Sequence, residues 1–285
     1  MTNRLELNWK LDGFVDEQRY YCSETPIDTA NLPVPKAVLA GDVRAYVDTD
    51  IDEEKTYYIA VSSVRNLVEK LSEIKEIFAN KDPHFANVEL LIFADDSGII
   101  DSSGYSRTIS KYGDVRFASS SEFQPYIDNG SLKFDDTGDR LSAAINELGT
   151  LDFTIETFIN IQSAKSWSKI FEIGELILFK RVETNAAFLL LQVNGSNVYV
   201  SDAVYINHNT WTHVCVMRKN NQFYLYVNGV TSGNSSIGSS TTLTSSILNI
   251  ANGLNCYLNS IRITRGVARY ETLGFTPPES KFPNS

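Results

Sequence analysis

At 285 residues, with 42% apolar side chains, the chain can bury a large core, and ordinary domain sizes divide that length into one or two domains. A net charge of −10 argues against nucleic acid as a partner, because such binding needs Lys and Arg to replace counterions along a phosphate backbone. No apolar run approaches the length of a membrane span. The start, Met1 to Lys10, lacks the basic end, apolar stretch and small-residue cleavage site of a secretory signal, so a soluble chain without membrane insertion is expected.

Tyr and Phe are abundant, and short alternating apolar runs are separated by Asn-Gly, Asp-Gly and Ser-Gly turns, which is the pattern of an all-β chain. The first strand alternates Leu5, Leu7 and Trp9. Strands are then predicted over Arg19–Glu24, Val43–Val47 and Tyr57–Val64, the last with Tyr57, Ile59 and Val61 on one face. Ile51 followed six residues later by Tyr57 resembles the tyrosine corner of fibronectin type III domains, and Trp9 supports the same comparison. That resemblance implies a spacer or interaction module. Only Met1 to Arg4 stand where its first strand belongs, so either that strand is missing, which leaves an edge open to another chain, or the chain is the end of something longer. Asp48 to Glu54 reads as a solvated acidic turn. From Asn66 to Phe78, Leu67, Leu71, Ile74 and Phe78 suit one helix face, while Ile74 to Phe78 also suits a strand end. The polar stretch around Pro83 marks a boundary, giving residues 1–79 as the small domain, 80–86 as linker and 87–285 as the larger domain.

In the larger domain two hairpins are legible. Leu189–Val193 and Asn197–Val200 flank Asn194-Gly195, and Gln222–Val227 runs into Asn228-Gly229. Asn-Gly supplies the positive φ angles that tight hairpins need. Further strands are predicted over Ser131–Phe134, Lys169–Ile173, Leu176–Lys180 and Ile247–Ile250. So many short antiparallel strands must pair two sheets face to face, as in a jelly-roll sandwich. The Ser/Thr/Gly-rich run from Thr231 to Ser246 reads as a long connection.

Leu90–Phe93, Asp101-Ser-Ser-Gly104, Gly130–Asp135, Phe153-Thr-Ile-Glu156, Trp211-Thr-His-Val214, Leu225–Gly229, Ile261–Tyr270 and Phe275-Thr-Pro-Pro278 follow one another in an order that resembles laminin-G-like, concanavalin A-like lectin/glucanase jelly rolls. Their wording is similar to versions found in tail proteins of bacteriophages and prophages. The resemblance implies a virion tail protein made in the host cytoplasm, with a host cell-surface glycan or protein and other tail proteins as partners. Many tail appendages are trimers, which keeps a homo-oligomer among the expected assemblies, although no heptad or collagen-like repeat sets a chain number.

Cys22, Cys215 and Cys256 are odd in number and lack a CxxC spacing, so neither a disulfide framework nor a zinc site is expected. His213 reads as a packing residue of its strand. Members of the resembled fold include glycoside hydrolases, which need a pair of carboxyls. The Glu-x-Asp-x-x-Glu strand of family glucanases is absent, and Asp152 and Glu156, four apart, belong to a structural phrase, so no enzyme is expected. The family's calcium position is altered to Phe93-Ala94-Asp95 and Leu258-Asn259-Ser260, losing negative charge. Asp95, Asp96 and Asn259 form a shifted, weaker calcium candidate, with the group Asp135, Asp136 and Asp139 as a second. For a glycan, aromatic faces with polar neighbours are needed, and Trp167, Tyr199, Tyr205, Tyr257 and Tyr126 are the candidates.

Overall fold

The computed structural model describes residues 5–52, 55–79, 82–93, 98–119, 130–162, 167–183, 186–236, 241–278 and 282–284. The chain divides into two compact units, Met1–Asp82 and Pro83–Asn284. Among the described residues the regular structure is antiparallel β, apart from a single 3-10 turn at Phe85–Asn87.

The small unit has seven strands: β1 (Leu5–Asn8), β2 (Glu17–Ser23), β3 (Ala37–Ala40), β4 (Ala45–Asp48), β5 (Lys55–Arg65), β6 (Val68–Leu71) and β7 (Lys75–Ala79). β1 pairs with β4, while β3, β2, β5 and β6 form the second sheet, with β7 also on β5. The stretch that suited either helix or strand is therefore two strands. Asn66 and Leu67, at φ 50° and 64°, make the tight turn between β5 and β6, and tertiary pairing decides what the apolar period left open. Tyr20, Ile51, Tyr57 and Ile59 form the buried centre. The Tyr57 hydroxyl accepts the Asp52 N–H at 2.9 Å. Asp48 is not a solvated turn residue: it is buried, with Tyr20 Oη at 3.1 Å and Lys36 Nζ at 2.8 Å.

The larger unit begins with β8 (Val88–Phe93), β9 (Ile109–Tyr112), β10 (Arg116–Ser119), β11 (Gly130–Phe134) and β12 (Arg140–Ala144). It continues with β13 (Phe153–Ile161), β14 (Ser168–Ile173), β15 (Leu176–Glu183), β16 (Ala186–Val193), β17 (Ser196–Asn207) and β18 (Trp211–Lys219). β19 (Gln222–Val227), β20 (Val230–Ser236), β21 (Ile247–Ile250) and β22 (Cys256–Arg265) complete it. One sheet has eight strands in the order β10-β11-β22-β13-β18-β19-β20, with β8 also on β22. The other has seven, in the order β17-β16-β15-β14-β21-β12-β9. The part of the Ser/Thr/Gly-rich run up to Ser236 is strand paired to β19, since backbone pairing outweighs the weak β preference of its small residues.

The inner faces of the two sheets share one core, to which Phe153, Ile155, Phe171, Leu178, Leu191 and Phe223 belong. The outer faces differ. β13, β18 and β22 are buried on both sides along nearly their whole length, because the C-terminal segment crosses the outside of the eight-stranded sheet. Tyr270 and Phe275 stack at 3.6 Å between ring centroids and pack with Cys215, Met217, Tyr224 and Tyr226, and Phe282 packs with Phe158 and Leu91. Gly229 (φ 74°) is doubly required there: it closes the β19–β20 turn, and a Cβ would sit 1.8 Å from the Phe275 carbonyl oxygen. The Phe275 N–H donates to the Gly229 carbonyl at 3.0 Å.

Candidate functional site

Alternation along β15 sets the polarity of the seven-stranded sheet. Leu176, Leu178 and Lys180 are buried, whereas Ile177 and Phe179 are partly exposed on the outer face. The register carries this phase outward, pairing Phe179 with Leu190 and Phe188 with Tyr205. Phe188 lies two residues from Leu190, so Phe179, Phe188 and Tyr205 share the outer face across three neighbouring strands.

Trp167, which leads into β14, extends this row. Its N–H donates to the Lys180 carbonyl at 2.9 Å, and its ring meets Phe179 edge to face at 6.1 Å. Phe188 and Tyr205 are likewise edge to face at 6.1 Å. Trp167 is 57% exposed and Tyr205 52%, a large apolar area to leave in water. Trp167 also has φ 64°, a left-handed backbone that costs a bulky residue of order 1–3 kcal/mol. Polar groups on the same face include the Gln192–Asn197 side-chain hydrogen bond at 2.7 Å and the Lys169–Glu172 ion pair at 2.6 Å.

Of the residues the sequence singled out, the structure brings Trp167 and Tyr205 onto one face. Tyr199 lies on β17 opposite Leu191, and its side chain is outside the described residues, as are Tyr126, Asp95 and Asp96. Tyr257 is elsewhere: on β22 in the other sheet, 8% exposed, with Lys133 Nζ 6.0 Å from its ring centroid. Asn259 is buried and donates its amide to the Gly130 carbonyl at 2.8 Å, which suits a sheet-bracing residue better than a rim ligand. Phe179 and Phe188 were missed because aromatics in a strand read as core. The signal was available in phase, since Phe179 alternates with the apolar inward positions Leu176 and Leu178.

Asp114, Asp135 and Asp139 bring three carboxylates within 4.8 Å of one another. Asp139 already accepts the N–H of Asp114 at 2.7 Å and of Asp135 at 2.8 Å, and Asp135 accepts the N–H and hydroxyl of Thr137. These oxygens hold their own turns together, and calcium takes six to eight oxygen ligands, so three carboxylates would need further oxygens to complete its shell. Asp136 is not part of the cluster.

The carboxyl pair of Asp152 and Glu156 does not fit glycoside hydrolysis. Glu156 is fully enclosed: Arg262 Nε donates to Oε1 at 2.9 Å, and Tyr270 Oη donates to Oε2 at 2.6 Å. His213 Nε2 lies 3.2 Å from Oε2. Burial pushes this carboxyl up, but the Arg262 charge, the His213 contact and the Tyr270 hydrogen bond outweigh it and hold it down to about 2. A general acid needs the opposite shift. Asp152 accepts the Asn220 N–H at 2.9 Å. His213 packs between Phe158 and Phe275, and Cys215 and Cys256 are free, buried thiols pushed up by burial.

No curated protein matches the chain. Residues 135–259 match the Laminin_G_3 family, described as the concanavalin A-like lectin/glucanases superfamily. Among solved structures, the chain is similar to the binding domain of Paraclostridial Mosquitocidal Protein 1, with TM-score 0.52 and 13% identity over 64% of this chain and 50% of that one. It is also similar to the botulinum neurotoxin serotype D binding domain, with TM-score 0.51 and 15% identity over 66% of this chain and 50% of that one. The chain thus spans about half the length of each, and at this identity the likeness is one of fold. With its two antiparallel sheets the larger unit is a jelly-roll sandwich, and over residues 135–259 it is similar to the concanavalin A-like lectin/glucanases.

Proposed function

We propose that the larger unit is a non-enzymatic receptor-binding module that takes a cell-surface glycan on the outer face of its seven-stranded sheet. The observation that carries this reading is the aromatic row Trp167, Phe179, Phe188 and Tyr205, which no described segment covers, while the C-terminal segment covers the other face. Ring faces pack against sugar C–H groups, and the amides of Gln192 and Asn197 with the charges of Lys169 and Glu172 offer hydrogen bonds to hydroxyls. Such a mixture favours a glycan over an apolar protein patch. The strained Trp167 backbone is consistent with a side chain held out for contact. The similar solved structures are binding domains of toxins, which supports a binding role without naming the ligand.

The setting we propose is a bacteriophage tail, on the ordered phrases from Leu90 to Pro278, with a fibronectin type III-like small unit as spacer. The two-plus-five-stranded arrangement and the Tyr57 cap on Asp52 support the spacer reading. A structural role, contacting only other virion proteins, is favoured by one observation, the edge of β1 on which no described strand pairs.

The test is binding of fluorescently labelled protein to bacterial surface polysaccharide, intact or enzymatically stripped, with and without chelator. Binding lost on stripping, unchanged by chelator and unaccompanied by new reducing ends is the expected result. Release of reducing ends would make the protein an enzyme, and absence of binding to any polysaccharide would favour the structural role.

A further inference from the structure

Among the described residues β1 pairs with β4 alone, so one edge of this two-stranded sheet is open. The Trp9 N–H donates to the Arg44 carbonyl at 3.1 Å, and the register places Leu7 opposite Tyr46 and Leu5 opposite Asp48. In an antiparallel pair the hydrogen-bonded positions alternate. Leu5, Leu7 and Trp9 therefore turn their backbone groups toward β4, and Glu6 and Asn8 present theirs to the open edge.

Beside that edge lies a cleft of about 510 Å³, within the range of specific binding pockets, bounded by β1 on one side and by β5, β6 and the start of β7 on the other. Leu7, Trp9, Leu11, Val61, Leu71 and Ile77 line it, and all six are only partly buried. Apolar side chains on two sheets of the small unit thus face a gap, next to a backbone edge on which no described strand pairs. The rim is positive, with Lys10, Lys70 and Lys75 against Glu73, in a chain whose net charge is −10.

We propose that the small unit is a strand acceptor. Its occupant is an extended segment of a separate polypeptide, about five or six residues long, in which apolar side chains alternate with carboxylates. The segment bonds to the backbone of Glu6 and Asn8, its apolar side chains fill the cleft, and its carboxylates meet the three lysines. Main-chain pairing supplies affinity, and the alternate pockets and charges supply choice of partner. Strand acceptance by the small unit is independent of glycan binding by the larger one.

The full chain is tested with two synthetic peptides, acetyl-Thr-Val-Glu-Val-Glu-Val-Thr-amide and its counterpart with lysine in place of glutamate. Binding is read by calorimetry and the site by amide hydrogen exchange. The acidic peptide binds at least tenfold tighter, protects the Glu6 and Asn8 amides, and loses its advantage in the Lys70→Glu, Lys75→Glu variant, whose changes lie at exposed positions. Equal binding of both peptides, no binding at millimolar concentration, or protection away from β1 overturns the proposal. So does concentration-dependent dimerisation that protects Glu6 and Asn8 without peptide, which would assign the edge to a second copy of this chain.

Discussion

The two outer faces of the larger unit solve the same problem in different ways. On the eight-stranded sheet, Met217, Tyr226 and Phe158 would be apolar surface, but Tyr270, Phe275 and Phe282 from the C-terminal segment cover them. The cover is pinned through Glu156, which bonds Arg262 in its own sheet and Tyr270 in the segment. Arg262 in turn lies 4.1 Å over the Phe282 ring. On the seven-stranded sheet no described segment covers Phe179, Phe188, Tyr205 and Trp167; the first two are partly exposed and the last two more than half exposed. That contrast between the faces turns an ordinary sheet face into a candidate binding surface.

The largest effect should come from breaking the pin. Arg262→Met leaves the Glu156 carboxylate buried without its main counter-charge, which costs about 3–5 kcal/mol. The melting temperature should fall on the order of 10 °C, and exchange at the Phe275 amide should rise before global unfolding. A melting temperature within 2 °C of wild type, on the order of 1 kcal/mol or less, would mean that the cover is held by apolar packing alone.

A somewhat smaller effect is expected from pH. Glu156 is held down to about 2 in the folded chain against an ordinary 4.5, so the unfolded state binds its proton first. Its contribution to stability is fully present above about pH 4.5 and is lost as pH falls toward 2, a loss of at most roughly 3 kcal/mol. Urea midpoints at pH 6, 4 and 3 should decline more steeply for wild type than for Glu156→Gln. Parallel declines would assign the acid sensitivity to other carboxylates.

The hairpins were legible in the sequence because Asn194-Gly195 and Asn228-Gly229 encode their turns locally, with Asn φ of 50° at both. The sandwich was legible because strand alternation and turn spacing are dense from Leu90 to Arg265. The C-terminal cover was not, since residues 267–278 lie in no strand and the work is done by single rings. A hint lay in Phe153-Thr-Ile-Glu-Thr-Phe-Ile159, whose apolar residues fall on both phases, as expected of a strand buried on both faces. Trp167 and Tyr205 could be chosen as aromatics near strand ends. Their partners Phe179 and Phe188 could not, because only the register β14-β15-β16-β17 puts the four rings on one face. In the small unit, the cleft and its lysine rim needed the fold that brings Lys10, Lys70 and Lys75 around one gap.

The most direct test compares the two faces in one assay, binding to an array of bacterial surface glycans. Trp167→Ala with Tyr205→Ala alters the seven-stranded face, and Lys219→Ala with Leu273→Ala alters a partly exposed and an exposed position on the covered side. Contact aromatics are worth about 1–3 kcal/mol each at binding hot spots, so the first pair should lose at least tenfold in affinity while melting near the wild-type temperature, and the second should bind like wild type. Unchanged binding by the seven-stranded-face variant, or loss confined to the covered-side variant, would contradict glycan recognition on the seven-stranded sheet.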